Sequence, residues 1–339
     1  MLKKIYFENF KSFEKAEMKI EQFTTLVGTN ASGKSNAIEG LKILSELATG
    51  RELSVILDGS KNMESNIRGG SRGCCRFETS HFILGCLVQY DANTDLKYMI
   101  DIQVTDEPRV AEESLYKISE DGESEFLFKT ENIDKKEEEM KTIWNNGRAE
   151  ERATVICVRQ SSVMSQVMAK IPQESEIGRN IVRGCNCVTE TLKNIFFLEP
   201  EPFLMRGYSR ISDVHLKGNA SNLSAVLNWV CKDEEKKKTV LRILKNLPEN
   251  RISELLFSEG SLNDVVFFIS ETHEGKTERI NSLQLSDGTL RCLAIVAALL
   301  SEKEKGMIVI EEMDSGIHPG RIQTMVQAIS ELAQRRELD

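Results

Sequence analysis

The sequence predicts an α/β protein with a mixed sheet core, an antiparallel β lobe and an inserted helical lobe. Three observations carry this prediction. A loop with the pattern G-x-x-x-x-G-K-S lies between a short β-rich run and a helical pattern near the start of the chain. Short β-like runs separated by turn residues fill much of 81–128. Helical patterns fill most of 161–196 and 220–247.

Size and composition restrict the class of protein. The chain has 339 residues, of which 40% are hydrophobic and 29% charged, and this composition is typical of a folded protein with a sizeable core. At roughly 150 residues per domain, the length corresponds to about two domains or to one with a large insertion. Lysine and arginine number 44 against 53 aspartates and glutamates, which gives a net charge of -9. This balance excludes a polybasic nucleic-acid binder, because any such contact would need a local basic patch.

Signals for membranes, export and metals are weak. The longest apolar run, Cys292–Leu300, is about half of what a bilayer span needs, and the N-terminus lacks the apolar core of a signal peptide. We therefore expect a cytoplasmic protein without a membrane partner. The eight cysteines form no CxxC pair and have no histidine at ligand spacing, so we expect reduced thiols and no structural zinc site.

The first seventy-five residues combine strand, turn and helix signals. Residues 3–10 alternate weakly, and the β-rich run Phe23–Val27 leads into Gly28, so both predict strands. Apolar residues at helical spacing predict a helix over Asn36–Ala48. Segment 51–75 is rich in Gly, Ser and Arg and predicts an irregular connection.

The middle of the chain predicts an antiparallel lobe followed by helices. The β-like runs are 81–90, 97–104, 114–118 and 124–128. Segment 119–152 is dense in Glu, Asp and Lys, which favours a solvated helix or mobile loop, with a specific partner site as the alternative. Further short strands are predicted at Val155–Val158 and Val265–Ser270.

The loop near the N-terminus indicates a nucleotide site. Gly28 and Gly33 let the backbone wrap so that N–H groups face phosphate oxygens, and the following helix adds its positive end. Lys34 supplies a point charge for the β- and γ-phosphates, and the Ser35 hydroxyl can bind Mg²⁺. The alternative is a plain glycine-rich turn, but the strand before the loop and the helix after it favour an ATP site. We assign to that site Gly28, Asn30, Ala31, Ser32, Gly33, Lys34, Ser35 and Asn36.

An apolar run followed by two acids supplies the second half of such a site. Met307–Ile310 predicts a buried parallel strand, and Glu311 and Glu312 follow it directly. Acids at the C-terminal end of such a strand lie beside the phosphate-binding loop in a doubly wound sheet. We therefore expect Glu311 to hold the Mg²⁺ shell and Glu312 to orient or deprotonate the attacking water. The alternative is an ordinary strand followed by surface acids.

The order of the motifs narrows the class further. Leu285-Ser-Asp-Gly-Thr289 lies directly before the apolar helical pattern 290–300, where Ser286 as a helix N-cap is the structural alternative. A P-loop, then L-S-x-G, then an apolar run with Glu-Glu resembles the ABC class of ATPases. The resemblance implies that Ser286 and Gly288 contact the γ-phosphate of an ATP held by a second protomer, so that two heads enclose two nucleotides.

Other segments look like the heads of SMC and RecF-type proteins. The opening Asn9-Phe-Lys-Ser-Phe13 is similar to theirs, which implies that Lys11 lies near the nucleotide. Gln160 resembles the Q-loop glutamine that senses Mg²⁺, with an exposed glutamine at a helix start as an equal alternative. Asp314 resembles a D-loop acid. His318 matches a structural position of that loop and receives no catalytic role.

The widest resemblance is to bacterial SMC- and OLD-like ATPases found in antiphage defence or toxin loci beside a separate nuclease or other effector. It spans nearly the whole chain and rests on NFKSF, GTNASGKSN, FLEPEPFLMRGYSR, GNASNLSAVL, LSDGTLRCLAI and EEMDSGIHP. One departure concerns the end. Heads of this class have a further strand with a switch histidine after the D-loop helix, predicted here at 320–335, whereas this sequence ends at Asp339. We expect either a fragment or a natural variant with an incomplete site.

These signals predict a single ABC-type ATPase domain over 1–339. Its expected parts are 1–50 with the N-terminal strands, P-loop and first helix, 51–158 as the antiparallel lobe with the acidic insertion 119–152, 159–260 as the helical lobe, and 261–339 with the signature, the two acids and the D-loop.

The expected activity is Mg-ATP hydrolysis by a homodimer or higher homo-oligomer whose ATP-sandwich heads regulate a separate effector, a nuclease or toxin, in bacterial antiphage defence. Two alternatives stay open. One is a nucleotide-gated scaffold that holds a toxin or nuclease without turnover. The other is a RecF- or SMC-like DNA-repair ATPase that contacts nucleic acid. A transporter motor is disfavoured, because Asp287 and Thr289 replace the Gly and Gln common in transporters.

Overall fold

A computed structural model describes residues 1–60, 65, 67–131, 138–148, 153–246, 252–273, 276–302, 306–313 and 319–336. The chain divides into two compact units, unit 1 over Met1–Ile195 and unit 2 over Phe196–Asp339. Both combine helices with sheets, so the predicted α/β class is confirmed. Within the described residues, no helix is both long enough and apolar enough to cross a bilayer.

Unit 1 is built on an eight-stranded antiparallel sheet. The strand order is β2-β1-β3-β4-β5-β6-β7-β8, so the opening hairpin joins the predicted antiparallel lobe in one sheet. β4 shows why the period-2 runs were informative, because every second side chain from Leu96 to Val104 is buried. The strands are β1 (Leu2–Phe10), β2 (Phe13–Lys19), β3 (His81–Gln89), β4 (Thr94–Val104), β5 (Pro108–Ser119), β6 (Ser124–Thr130), β7 (Glu139–Trp144) and β8 (Ala153–Val158).

Five helices of unit 1 accompany the sheet. They are α1 (Lys34–Leu47), α2 (Leu53–Asp58), α3 (Gly70–Cys74), α4 (Val163–Lys170) and α5 (Glu176–Lys193). α5 begins at the N-cap Ser175, whose hydroxyl accepts from the Gly178 N–H, and buries an apolar face that includes Ile181, Val188 and Leu192. α1 packs on β1 and β3, and α5 packs on β3, β4 and β6. The helices predicted at Asn36–Ala48 and within 161–196 are thereby confirmed.

Three predictions for unit 1 are wrong. Phe23–Val27 forms no strand: residues 21–30 are exposed, and β-propensity alone does not order a segment that enters no described ladder. Segment 51–75 is not irregular throughout, because α2 buries Leu53, Ile56 and Leu57 one turn apart. Segment 119–152 is neither a helix nor a loop throughout, because β6 and β7 lie in it, and β7 buries Met140 and Thr142 on one face while Glu139 and Lys141 are exposed on the other. Residues 132–137 and 149–152 of this segment lie outside the described residues.

Unit 2 wraps sheets and helices around one buried helix. That helix is α9, in which every residue from Leu290 to Leu300 except Arg291 is buried, as expected for a helix apolar on all sides. It packs against α6, α7, α8, α10 and β14. The helices are α6 (Pro202–Met205), α7 (Leu223–Val230), α8 (Glu234–Asn246), α9 (Asp287–Ser301) and α10 (Pro319–Arg336), with a 3₁₀ turn at Ser282–Gln284.

The strands of unit 2 form two small sheets. β12 pairs with β11 on one side and with β10 and β13 on the other, all antiparallel, and β14 pairs with β9. The strand predicted at Val265–Ser270 is confirmed within β12. β14 is not the fully buried strand that was predicted: each of its residues is partly exposed, since β9 is its single neighbour among the described strands. The strands are β9 (Ile195–Leu198), β10 (Ser209–Arg210), β11 (Ile252–Glu259), β12 (Asp264–His273), β13 (Lys276–Asn281) and β14 (Met307–Ile310).

Candidate functional site

The loop before α1 has the backbone of an anion cradle. Gly33 is the N-cap of α1 with φ +95°, where no side chain caps the helix, and no acid lies in the first turn. A Cβ at Gly33 would lie 3.1 Å from Ser12 Oγ and 3.3 Å from the Phe13 ring, so both conformation and space favour glycine here. The first N–H groups of a helix lack intrahelical partners. With the helix dipole, they favour a negatively charged ligand at this end of α1.

Lys34 lies over the loop that precedes it. Its Nζ donates to the carbonyl oxygens of Gly28, at 2.6 Å, and Thr29, at 2.9 Å. These bonds hold the ammonium inside the curve of the loop. Asn30, Ala31, Ser32 and Ser35 are exposed beside it, and Ala31 adopts a left-handed φ of 66°. The loop therefore presents one cation, the exposed hydroxyls of Ser32 and Ser35, and backbone N–H groups on a single short segment.

The hairpin between β1 and β2 fixes the start of α1. Asn36 Nδ2 donates to Ser12 Oγ at 2.9 Å, so the last residue assigned to the loop anchors α1 to this hairpin. Ser12 was not predicted as a site residue. Its only sequence signal is its place in the segment Asn9–Phe13.

Lys11, predicted beside the nucleotide, makes an ion pair with α1. Its Nζ lies 2.7 Å from Glu39 Oε2 and donates to the Arg68 carbonyl oxygen at 2.8 Å, and Arg68 Nε donates to Glu39 Oε1 at 2.6 Å. Burial acts to raise the pKa of Glu39, but the hydrogen bonds from Arg68 and Lys11 outweigh it and leave that pKa below its ordinary value. Glu39 and Arg68 were missed, because nothing in the local sequence marks them as partners of Lys11.

Gln160 lies next to the segment that follows α1. Its carbonyl oxygen accepts from the Leu53 N–H at 2.7 Å, and the adjoining Ser161 forms a β-bridge with Glu52. The P-loop precedes α1, a helix of 14 residues. At 1.5 Å per residue α1 is roughly 20 Å long. These contacts thus tie Gln160 to the chain beyond the C-terminal end of α1, whereas Lys34 and Ser35 are at its N-terminal end.

A buried acid holds the helix that starts just after Gln160. Glu113 on β5 accepts from the Ser162 hydroxyl at 2.8 Å, from the Val163 N–H at 2.6 Å and from the Met164 N–H at 2.8 Å. The Tyr98 hydroxyl donates to it at 3.0 Å. Burial raises the pKa of Glu113 despite these four donors. No local pattern marks this acid, because its partners are about fifty positions away or lie on another strand.

In unit 2, the predicted signature forms the start of α9. Ser286 is the N-cap, and its Oγ accepts from the Thr289 N–H at 3.2 Å and lies 2.9 Å from Thr289 Oγ1. Gly288 is buried in the first turn. The N-cap geometry that the structural alternative predicts is therefore present, and Ser286 is exposed at the N-terminal end of α9.

An arginine outside the predicted set holds this signature loop. Arg206 Nη1 donates to the Leu285 carbonyl oxygen at 2.8 Å, and Nη2 donates to Asp287 Oδ1 at 2.5 Å. The Arg206 carbonyl oxygen accepts from the buried Ser282 hydroxyl at 2.6 Å. The only sequence signal for Arg206 was its place in the segment FLEPEPFLMRGYSR.

The two predicted acids follow β14 in unit 2. The Glu311 N–H donates to the Leu198 carbonyl oxygen at 3.0 Å, which continues the pairing of β14 with β9. Glu312 is exposed and has φ +51°, a left-handed conformation that costs a non-glycine residue of order 1 kcal/mol or more. Asp314 and His318 lie outside the described residues.

The predicted residues thus divide between the units. Unit 1 brings together Gly28–Asn36, with Lys11 close by on the adjoining hairpin, while unit 2 carries Ser286, Gly288, Glu311 and Glu312. The donors assigned to Mg²⁺ on Ser35, Glu311 and Gln160 are all oxygens, which is the chemistry that this ion prefers. Across the described part of the chain, no group of three or more His, Cys, Asp or Glu side chains is placed to hold a metal ion.

Burial raises the thiol pKa of seven of the eight cysteines. All eight are free. Burial raises the pKa of Cys74 to about 12 and that of Cys75 to about 11, so both stay protonated at neutral pH.

A protein-family profile described as "AAA domain, putative AbiEii toxin, Type IV TA system" matches residues 23–337. The DNA replication and repair protein RecF of Synechocystis sp. is 40% identical over 65 residues, which are 18% of this chain and 17% of that protein. This chain therefore matches only a small part of that relative's length. Two solved structures of the recombination mediator protein RecF, with ATP and with ATPrS, are 12% identical, with TM-scores of 0.31 and 0.33. Each similarity covers 97% of this chain and 90% of the other.

Proposed function

Because the chain belongs to the AAA-domain family of that profile, we propose that it is an ATPase head of the ABC, SMC and RecF-like kind, which binds and hydrolyses Mg-ATP and thereby controls a separate effector protein. The observation that carries this proposal is the loop Gly28–Asn36, with its left-handed Gly33, its uncapped helix start and Lys34 held inside the curve. A nucleoside triphosphate is the ligand that uses all three features, because its phosphates accept hydrogen bonds and carry several negative charges.

The chemistry that these residues perform is positioning and electrostatic stabilisation. Backbone N–H groups at the start of α1 bind phosphate oxygens, and Lys34 moves from the loop carbonyls to neutralise charge on the β- and γ-phosphates. Glu312 orients the water that attacks the γ-phosphate. Its left-handed backbone and exposed side chain agree with such a role, because strained residues concentrate at functional sites.

Magnesium would be held by the Ser35 hydroxyl and the Glu311 carboxylate, with Gln160 as a further oxygen donor. Bound there, the ion would neutralise charge on the triphosphate.

Two heads complete the proposed site. Ser286 and Gly288 start α9, whose N-terminal end is suited to a phosphate of an ATP carried by a second copy of the chain. Homodimerisation would then depend on ATP, and the dimer would be the form that controls the effector.

Substitution of the P-loop lysine tests the activity. Lys34→Ala removes the only cation that the loop holds over its own carbonyls, so we expect ATP affinity to fall at least tenfold, measured by titration with a fluorescent ATP analogue. Lys15→Ala is the matched control, because its side chain is 82% exposed in a loose pair with Glu8. ATP binding that is equal in the two variants would overturn the assignment of the P-loop.

Substitution of the proposed catalytic acid separates binding from turnover. Glu312→Gln keeps the size of the side chain but not its charge, so we expect ATP binding and an ATP-dependent dimer that persists, with turnover reduced about a hundredfold. Normal turnover by this variant would contradict the role of Glu312 in orienting the attacking water. ATP binding and dimerisation by the wild type without any turnover would instead favour a nucleotide-gated scaffold.

We place this ATPase in bacterial defence, in the cytoplasm, beside a nuclease or toxin. The family description, "AAA domain, putative AbiEii toxin, Type IV TA system", supports a placement in a toxin–antitoxin or defence locus. The net charge of -9 supports a protein partner over direct binding of DNA. The test is the plating efficiency of phage on cells that carry the gene with its neighbours: Lys34→Ala should abolish protection while Lys15→Ala keeps it, and equal protection would refute the placement.

The segment matched by RecF favours DNA repair as a second candidate function. Such a protein would bind DNA through phosphate contacts, so its affinity would fall steeply between about 50 and 200 mM salt. Fluorescence anisotropy with a labelled duplex, with and without ATP, separates the two functions. Micromolar binding that requires ATP and weakens with salt would favour repair over defence.

A further inference from the structure

Arg206 connects three parts of the signature region of unit 2. Its guanidinium donates to the Leu285 carbonyl oxygen and to the Asp287 carboxylate, the residues on either side of Ser286. Its own carbonyl oxygen accepts from Ser282, whose hydroxyl is fully buried. The Arg206 side chain is 22% exposed, whereas that of Asp287 is 62% exposed. A single, mostly buried arginine therefore braces the loop from both of its ends.

The Arg206 guanidinium also neutralises the charge of the Asp287 carboxylate. Asp287 is the first residue of α9, where an acid is favourable to the helix itself. The same carboxylate opposes any phosphate that approaches this helix end, since like charges repel. Arg206 forms a charge-assisted hydrogen bond with it and so neutralises that repulsion locally. Without the guanidinium, the N-terminal end of α9 would face a phosphate with a net negative charge beside Ser286.

We propose that Arg206 is a positioning residue of the signature: it fixes the Leu285–Asp287 turn and neutralises Asp287, so that Ser286 and the start of α9 accept a phosphate of ATP from a second copy of the chain. This inference rests on the proposed function. It also accounts for the acid at position 287, which replaces a glycine of the transporter-type signature: an acid is tolerated there because Arg206 cancels its charge.

Four variants test the two parts of this role. Arg206→Ala should leave ATP affinity within about twofold of wild type, because the P-loop that binds ATP lies in unit 1, yet it should lower kcat and ATP-dependent dimerisation at least about tenfold. Arg206→Lys should recover part of the loss, because an ammonium keeps the charge but not the two-pronged fork. Asp287→Asn alone should lower kcat less than Arg206→Ala does, because it removes the repelling charge together with the ion pair, and Arg206→Ala with Asp287→Asn should recover kcat to within about threefold of that of Asp287→Asn.

Rescue by Asp287→Asn is the decisive readout, since a purely structural arginine would not be replaced by removing its partner. Arg210→Ala, on the same segment, is the control and should match wild type in all assays. Circular dichroism and thermal unfolding of every variant establish that each one folds.

The outcomes separate the inference from the function on which it rests. If wild type hydrolyses ATP and dimerises, and Arg206→Ala does so equally, the inference is overturned while the function stands. If Arg206→Ala is inactive and Asp287→Asn does not rescue it, the neutralising role is overturned. If wild type itself neither dimerises nor turns over ATP, the proposed function fails and the inference falls with it.

Discussion

At the scale of single residues, two buried carboxyls of unit 1 respond to pH in opposite directions. Glu39 faces Lys11 and Arg68, and its pKa lies below the ordinary 4.5. Its contribution to stability is therefore present above pH 4.5 and is lost as pH falls through the lowered pKa. Glu113 faces only neutral donors in a buried position, and its pKa lies above 4.5. Its contribution is fully present below pH 4.5 and declines as pH rises through the raised pKa.

The pair predicts opposite slopes of stability against pH. We expect the free energy of unfolding of wild type minus that of Glu113→Gln to fall as pH rises from 4.5 through the raised pKa of Glu113. The corresponding difference for Glu39→Gln should rise as pH rises through the lowered pKa of Glu39 up to 4.5, because glutamine does not titrate. Urea unfolding at several pH values measures both differences, and contributions from other groups cancel. A rising difference for Glu113→Gln would mean that its four donors, and not burial, set its pKa.

Removal of the Glu113 side chain should be costly at any pH. Glu113→Ala leaves buried donors on Tyr98, Ser162 and the backbone of α4 without an acceptor, so we expect a loss of about 3 kcal/mol in the free energy of unfolding. The same urea experiment measures this loss. A loss below about 1 kcal/mol would show that water replaces the acid.

At the scale of elements, the edge strand β8 is closed by side chains of α4. Gln166 donates to the Val158 carbonyl oxygen and accepts from its N–H, both at 2.8 Å, and Lys170 Nζ donates to the Ile156 carbonyl oxygen at 2.5 Å. Ile156 and Val158 are 45% and 41% exposed, so this edge presents apolar surface to solvent. Such an edge invites pairing with another chain unless its backbone groups are occupied.

We therefore expect Gln166→Ala combined with Lys170→Ala to expose the edge of β8. The loss in unfolding free energy should be about 2 kcal/mol, and hydrogen exchange of the Val158 amide should accelerate at least tenfold. Light scattering should detect faster aggregation than in Lys193→Ala, the control on an exposed position of α5. Unchanged exchange at Val158 would contradict the closure of the edge by α4.

The same scale explains which parts of the fold the sequence could predict. β4 and α5 were predictable because burial imposes a clean period on their residues. The charged composition around β7 led us to miss a strand that is present. The β-propensity of Phe23–Val27 led us to predict a strand that is absent, because this segment has no described ladder to join. At the site, the contiguous loop Gly28–Asn36 was readable.

Partners that are distant in sequence were not readable. The pairs Glu39 with Arg68, Glu113 with Ser162 and Arg206 with Asp287 are separated by 29, 49 and 81 positions. Each pair exists because the tertiary fold brings its members together, and no local pattern encodes that proximity. The pairwise contacts around the motifs therefore had to come from the structure.

At the scale of the whole molecule, the division into two units predicts how ATP changes stability. Unit 1 carries the P-loop, so a ligand that binds there stabilises unit 1 directly, by about 2.7 kcal/mol at a hundredfold excess over its Kd. We expect ATP to raise Tm by a few degrees in scanning calorimetry of wild type and of Ser286→Ala, because this substitution leaves the P-loop intact. Lys34→Ala should lose the shift. A shift that disappears in Ser286→Ala would place the main ATP contacts in unit 2.

The hydrogen bonds of Lys34 to Gly28 and Thr29 make any capture of an anion by this loop a substitution reaction. An incoming group does not meet a bare ammonium; it must replace two carbonyl oxygens that already satisfy it. A singly charged anion offers little more than those oxygens do, while a polyphosphate offers several charges at once. The loop therefore favours ligands of high charge density, because a bound ligand must compensate for the two hydrogen bonds that Lys34 loses.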